Sequence, residues 1–182
     1  MTKKQFESKI NKLASDGELI SMLNNIYDSN ATFRDIMNSV LDDSDADKVF
    51  GKYKKRLEKT FTNLEAYSLQ NSLEILSSYK YIAPDDSYRA AMDYWFAYYA
   101  ADFSTTYGDF EDEFYDEIVQ SSMRALAYSN KDSLFFNDFI ENFEQLIKLT
   151  GCFGFGVQED IRPVYEKIFM KWDDAGEIRD ME

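Results

Sequence analysis

Apolar residues recur at intervals of three and four positions along nearly the whole chain, whereas alternation with a period of two is hard to find. A spacing of three and four places side chains on one face of an α-helix, so the pattern predicts an all-α protein. Glycine, proline and short polar segments interrupt the apolar runs and predict the turns. We therefore expect eight or nine antiparallel helices joined by short connections.

Capping residues and helix breakers predict where several helices begin and end. Asp85 or Asp86 is expected to begin the most strongly patterned helix, and Gly108 to end it. Pro163 suits the first turn of the last helix, which predicts a start near Asp160, while the series of helix starts places it near residue 157. The predicted helices cover residues 19–27, 33–41, 45–62, 69–82, 85–107, 109–129, 132–150 and 160–172.

The helix predicted at residues 85–107 carries a broad stripe of apolar and aromatic side chains. The stripe consists of Met92, Trp95, Phe96, Tyr99 and Phe103, at i, i+3, i+4, i+7 and i+11. Packing into a core explains such a stripe. The residues expected to be mostly buried in one contiguous core are Trp95, Phe96, Tyr99, Phe103, Phe114, Phe139, Phe143 and Phe169.

The spacing of the helix starts gives each helical hairpin about 40 to 47 residues, the range of HEAT-like pairs. This spacing predicts stacked helical hairpins, that is, a short α-α superhelix. A compact up-and-down bundle explains the same spacing. In both arrangements we expect a single domain over residues 1–172, followed by an acidic tail over residues 173–182.

The charge balance narrows the possible functions. The chain has 20 Lys and Arg, 34 Asp and Glu and no His, for a formal net charge of -14. A negative surface repels phosphates and anionic lipids, so we expect no direct binding to nucleic acid or to membranes. Without an apolar leader or a long apolar run, and with one cysteine, the sequence predicts a cytoplasmic protein.

Two acidic segments raise the question of a metal site. In the run Asp42–Asp47, carboxylates stand at positions 1, 3 and 5 of a calcium loop, but Lys48 replaces the required glycine and Lys54 the bidentate glutamate. The densest acidic cluster comprises Asp109, Glu111, Asp112, Glu113, Asp116 and Glu117. Most of these acids fall near the first turn of a helix, where the macrodipole favours them. The sequence therefore predicts no metal, no cofactor and no catalytic residue.

The loop Gly151-Cys-Phe-Gly-Phe-Gly156 contains two further candidates for chemistry. Cys152 has no histidine to activate it, so we expect a small buried thiol. The glycines resemble half of a phosphate-binding loop, yet they follow a helix and precede Glu159 and Asp160, whose charges would repel phosphate. We interpret them as turn residues.

Three groups of landmarks resemble a known family. They are Tyr53-Lys54-Lys55 with Leu57 and Phe61; Tyr107-Gly108-Asp109 with Phe114-Tyr115 and Ala125-Leu126; and Gly154-Phe155-Gly156 before Asp160. Together, over residues 6–170, they resemble a family of small bacterial all-helical proteins catalogued as a domain of unknown function. Where its members are expected to have Gly-Trp-Gly-Phe, this chain has Gly-Cys-Phe-Gly-Phe-Gly. The resemblance implies a bacterial, single-domain helical protein and supplies no activity.

These observations leave three hypotheses for function. The first is a non-enzymatic helical binding or adaptor module that recognises another protein, which the acidic surface suggests is basic. The second is an enzyme that uses carboxylates and a divalent metal ion. The third is an acidic protein that mimics nucleic acid. We favour the first because it needs no special constellation of residues.

The direction of the helices predicts a functional surface. If consecutive helices alternate up and down, the Tyr107-Gly108-Asp109 turn and the Gly151–Gly156 loop lie at the same end of the protein, opposite Asp42–Asp47. The binding residues expected to meet there are Tyr107, Asp109, Tyr115, Phe155 and Asp160. In the alternative interpretation, the aromatic residues close that end of the core and the two acids cap helices.

Overall fold

The computed structural model describes residues 2–31, 33, 34, 37, 46–108, 110–128, 136–152 and 154–173, with only the backbone at 3, 136–141 and 169–173. Across these residues the protein is helical and contains no β-strand, which confirms the predicted all-α class. The helices bounded within them are α1 (Lys3–Ser15), α2 (Glu18–Ser29), α3 (Ala46–Thr60), α4 (Leu69–Ile82), α5 (Asp86–Tyr107), α6 (Asp112–Tyr128), α7 (Phe136–Thr150) and α8 (Val157–Asp173).

The contacts divide the chain into two compact units, Met1–Ala46 and Asp47–Glu182. In the first unit α1 packs against α2. A capping box begins α1, since the Thr2 hydroxyl accepts a hydrogen bond from the Gln5 amide and the Gln5 side chain accepts one from the Thr2 amide. A single domain over residues 1–172 stays a prediction, and residues 174–182 of the expected tail lie outside the described residues.

In the second unit α5 has the most helical neighbours among the described elements. It packs against α4, α6 and α7, while α8 packs against α6 and α7. Each helix from α4 to α8 thus contacts the next helix or the next but one, which is the arrangement of a bundle of helical hairpins. The largest fully buried side chains are Tyr53, Leu57, Tyr79, Met92, Tyr94, Phe96, Phe103, Phe114, Ile118, Phe143, Leu146 and Ile161.

The predicted burial is confirmed at the described aromatic positions, completely at four and partly at two. Phe96, Phe103, Phe114 and Phe143 are buried. Trp95 and Tyr99 are only half-buried. These two rings pack against each other at the edge of the buried face, with centroids 5.4 Å apart, and the Lys54 ammonium lies 3.1 Å from the Trp95 ring centroid. The predictions for Phe139 and Phe169 fall on side chains outside the described set.

The ends of α5 follow the sequence signals, whereas Pro163 does not mark the first turn of α8. Asp85 caps α5 by accepting hydrogen bonds from the Ser87 and Tyr88 amides, and Gly108 follows the helix with a φ of 89°. The last helix begins at Val157, as the series of helix starts predicts, so Pro163 lies inside it and not in its first turn. The earlier start has a tertiary cause, because Val157 is buried and its burial adds an apolar contact at the first turn.

The buried tyrosines predict a loss of stability in alkali. Burial raises the pKa of Tyr79, Tyr88, Tyr94 and Tyr99 above the ordinary value, and raises that of Tyr165 to about 12. An unfolded tyrosine ionises near pH ~10. Because the folded pKa values are higher, this contribution to stability is complete below pH ~10 and is lost as the pH rises through them.

We therefore expect the free energy of unfolding to fall steeply above pH ~10. Absorbance at 295 nm and circular dichroism at 222 nm, recorded on the same samples, measure phenol ionisation and helix content. The last tyrosines should ionise together with the loss of helix, and urea-unfolded protein gives the reference titration. Full ionisation of all 13 tyrosines with unchanged helicity would contradict the prediction.

Candidate functional site

Two residues of the sequence-predicted site, Tyr115 and Phe155, lie in direct contact. Their rings stack almost in parallel, with centroids 4.3 Å apart and an interplanar angle of 12°. The Tyr115 ring is buried. Its hydroxyl forms a hydrogen bond with the Ser104 hydroxyl (3.1 Å) and accepts one from the Phe110 amide (3.3 Å). Tyr115 therefore joins the end of α5, the start of α6 and the loop before α8.

Phe155 holds an unusual backbone conformation. Its φ is 67°, in the left-handed region that bulky residues rarely adopt. Its side chain is 55% exposed. The loop around it is closely fitted, because Gln158 donates a hydrogen bond to the Ile147 carbonyl (2.8 Å) and a Cβ at Gly151 would lie 2.7 Å from the Gln158 Nε2 atom. The contact with Tyr115 thus stabilises a strained turn. This role fits the alternative interpretation, in which the aromatic residues close that end of the core.

The other predicted site residues are not joined to that pair by a described side-chain contact. Tyr107 is partly exposed; its ring packs on Phe103 with centroids 4.7 Å apart, and its hydroxyl donates a hydrogen bond to the Thr62 carbonyl. Asp160 is exposed in the first turn of α8. Asp109 lies outside the described residues. A shared pocket for all five stays a prediction.

The structure corrects the expectation for Cys152. The thiol is exposed and not buried. It lies just past the last residue of α7, where its sulfur is 3.6 Å from the Lys148 carbonyl oxygen. The apolar neighbours in the sequence suggested a core position, but the turn places this side chain beyond the buried face of α7.

The acidic run Asp42–Asp47 is described only at its last carboxylate. Asp47 accepts a 2.6 Å hydrogen bond from the Tyr88 hydroxyl, while residues 42–45 lie outside the described residues. Within the described part of the chain, no group of three or more His, Cys, Asp or Glu side chains could hold a metal ion. Nor is any helix in that part long and apolar enough to cross a membrane.

A groove beside the predicted site has more of the features of a binding surface than the Tyr115–Phe155 pair has. Its volume is about 740 Å³. One wall comes from the start of α4 and the residue Tyr67 before it, and the other from the start of α6 and the residues before that helix. We call it the α4–α6 groove; it is lined by Tyr67, Leu69, Gln70, Leu73, Phe110, Glu111, Glu113 and Phe114.

Aromatic packing and helix caps fix the walls of the α4–α6 groove. Buried Phe103 of α5 stacks with Tyr67 at 5.1 Å and with Phe110 at 5.2 Å, measured between ring centroids. Ser68 caps α4 by accepting a hydrogen bond from the Asn71 amide. The Phe110 amide is held by Tyr115. The rings are therefore positioned before any ligand arrives, which lowers the entropy lost on binding.

Two carboxylates give the groove a negative edge. Glu111 and Glu113 are exposed, and neither forms an ion pair with a cation among the described residues. Burial raises the pKa of Tyr67, and the charges of Glu111 and Glu113 raise it further. The positive end of α6 stabilises such acids by about 0.3–1 kcal/mol, and both side chains are exposed to solvent.

A second depression, of about 380 Å³, continues along α4 from Gln70 and Leu73 towards Lys80 and Arg124. These two cations are already engaged, because both contact the Asp93 Oδ1 atom, at 2.7 Å and 3.0 Å respectively. Asp93 is fully buried. Burial raises its pKa against the opposing pull of the two cations, and burial lowers the pKa of Lys80. We interpret this group as an internal link between α4, α5 and α6.

Sequence reasoning missed the α4–α6 groove for identifiable reasons. Glu111 and Glu113 were interpreted as acids that stabilise the start of a helix, which is also true. Tyr67 and Phe110 lie between helices, where helical periodicity carries no information. An available signal was Tyr67 itself, because it is an aromatic residue in the short connection between α3 and α4, directly before the Ser68 cap.

The comparisons with known proteins add no relative. No family model matches the chain, and no curated protein or solved structure matches it.

Proposed function

We propose that this chain is a non-enzymatic helical module that binds a basic segment of another protein through the α4–α6 groove. The observation that carries the proposal is the combination of a preformed aromatic wall with two exposed carboxylates, Glu111 and Glu113, that pair with no cation among the described residues. Concave apolar surfaces with a few polar groups at the edge are typical of binding sites. The formal net charge of -14 favours a positively charged partner.

Site-specific photo-cross-linking tests the proposal. The photoreactive residue p-benzoylphenylalanine replaces exposed Gln70, which lines the groove, or Tyr81, which is 82% exposed on the same helix. In lysate of the source organism we expect a discrete adduct from position 70 and none of that mass from position 81. The adduct should disappear at 1 M salt, where the Debye length is about 3 Å.

The cross-linked protein is then purified and its affinity measured by calorimetry. Glu111→Gln combined with Glu113→Gln should weaken binding about tenfold, since each lost charged contact removes a charge-assisted interaction. Glu18→Gln combined with Glu159→Gln is the matched control, because it removes two exposed charges from the first turns of α2 and α8. No adduct at position 70, or equal adducts at both positions, would contradict the proposed function.

A further inference from the structure

Resting on the proposed function, we infer that the α4–α6 groove recognises an arginine side chain of the partner, with the guanidinium stacked on the aromatic wall and hydrogen-bonded to Glu111 and Glu113. The groove, its rings and its carboxylates belong to one unit of the fold.

The charge of the site favours a cation. An anion would be repelled by Glu111 and Glu113. A purely apolar ligand would cover the edge of the groove and displace water from these carboxylates. It could not replace the hydrogen bonds that the water donates, which is unfavourable. A cation replaces those hydrogen bonds with charge-assisted ones.

The rings of the groove favour a cation of planar shape. Tyr67 and Phe110 lie 5.2 Å apart between centroids, at an interplanar angle of 53°, and both are half-buried. A guanidinium stacks on an aromatic face, sheds water more readily than an ammonium, and presents five N–H donors in a fixed fork. That fork can donate to the two carboxylates while the plane rests on a ring.

The rest of the chain uses the same interaction within itself. The Arg56 guanidinium carbon lies 4.8 Å from the Tyr53 ring centroid, and that of Arg34 lies 5.5 Å from the Tyr27 centroid. At the α4–α6 groove the rings and carboxylates are in place, and no cation of the described residues is seated among them. The apolar side chains of Leu69 and Leu73 suit the methylene stem of an arginine.

An NMR titration of the full chain with small probes tests the inference. The probes are N-acetyl-arginine amide, N-acetyl-lysine amide and N-acetyl-citrulline amide, which is neutral and nearly isosteric with arginine. We expect arginine to shift the amide signals of residues 67–73 and 110–114 with saturation. The lysine probe should bind more weakly, and citrulline about tenfold more weakly than arginine. The δ-methylene protons of the bound arginine should move upfield, as the ring current above an aromatic face requires.

Variants separate this inference from the proposed function. Glu111→Gln with Glu113→Gln should weaken arginine binding about tenfold, whereas the Glu18→Gln, Glu159→Gln control should leave it unchanged; equal thermal melting shows that both are folded.

Equal binding of citrulline and arginine, or arginine binding without the upfield shift, overturns the inference. If that occurs while the position-70 adduct still forms, the groove binds a protein by other chemistry. Loss of the adduct as well overturns both.

Discussion

Replacing Phe96 with alanine is expected to lower the free energy of unfolding by about 3 to 5 kcal/mol, as truncations of large aromatic side chains in cores do. Phe96 is fully buried in α5, and its ring meets that of Phe61 edge to face, with centroids 5.8 Å apart. The neighbouring helices cannot close the resulting space completely, so the loss includes both transfer and cavity contributions. Urea denaturation followed by circular dichroism measures the change.

Tyr81→Ala is the matched control for this prediction. It truncates an aromatic side chain on the adjacent helix α4, but Tyr81 is 82% exposed, so its change should stay within about 0.5 kcal/mol. A loss below about 1 kcal/mol for Phe96→Ala, or an equal loss for both variants, would show that Phe96 does not anchor the core.

The fold was largely predictable because its signals are local. In α5 the Asp85 cap, the apolar stripe and the Gly108 stop all lie within one segment, and helix periodicity converts them directly into a buried face. Trp95 and Tyr99 are less completely buried than Phe96 and Phe103 of the same stripe. Periodicity gives the direction in which a side chain points, but the packing of neighbouring helices decides how much of each ring is covered.

The start of α8 shows a second limit of local signals. Pro163 is compatible with the first turn of a helix and by itself predicts a start near Asp160. The observed start at Val157 depends on tertiary contacts, namely the burial of that side chain and the hydrogen bond from Gln158 to α7. Such contacts are invisible to a pattern within one segment.

The candidate site was less predictable than the fold. The α4–α6 groove joins Tyr67 and Phe110, which are remote in sequence and become neighbours because both pack on Phe103. The acids were visible, but their closeness to an aromatic wall was not. The internal link at Asp93 had a stronger sequence signal than the groove had. A carboxylate among aromatic residues of a buried helix face is rare unless a cation pairs with it.

Removing both cations that contact Asp93 is expected to lower the free energy of unfolding by about 3 to 5 kcal/mol at neutral pH, because a buried carboxylate would lose its compensation. The variant is Lys80→Met with Arg124→Met. Burial would then raise the pKa of Asp93 unopposed. In this variant the folded pKa of Asp93 lies above the unfolded value of ~3.9. The contribution of Asp93 to stability is therefore complete below pH ~4 and is lost as the pH rises through the folded pKa.

The deficit relative to the unsubstituted chain should therefore shrink on acidification, and adding Asp93→Asn should remove its dependence on pH. Arg162→Met is the control, because it removes an ion pair to Glu166 in which both side chains are more than half exposed, with an expected change within about 0.5 kcal/mol. Unchanged stability of the double variant at pH 7 would mean that Asp93 is uncharged in the folded protein. A deficit equal at pH 4 and pH 7 would assign the loss to packing of the long side chains and not to their charge.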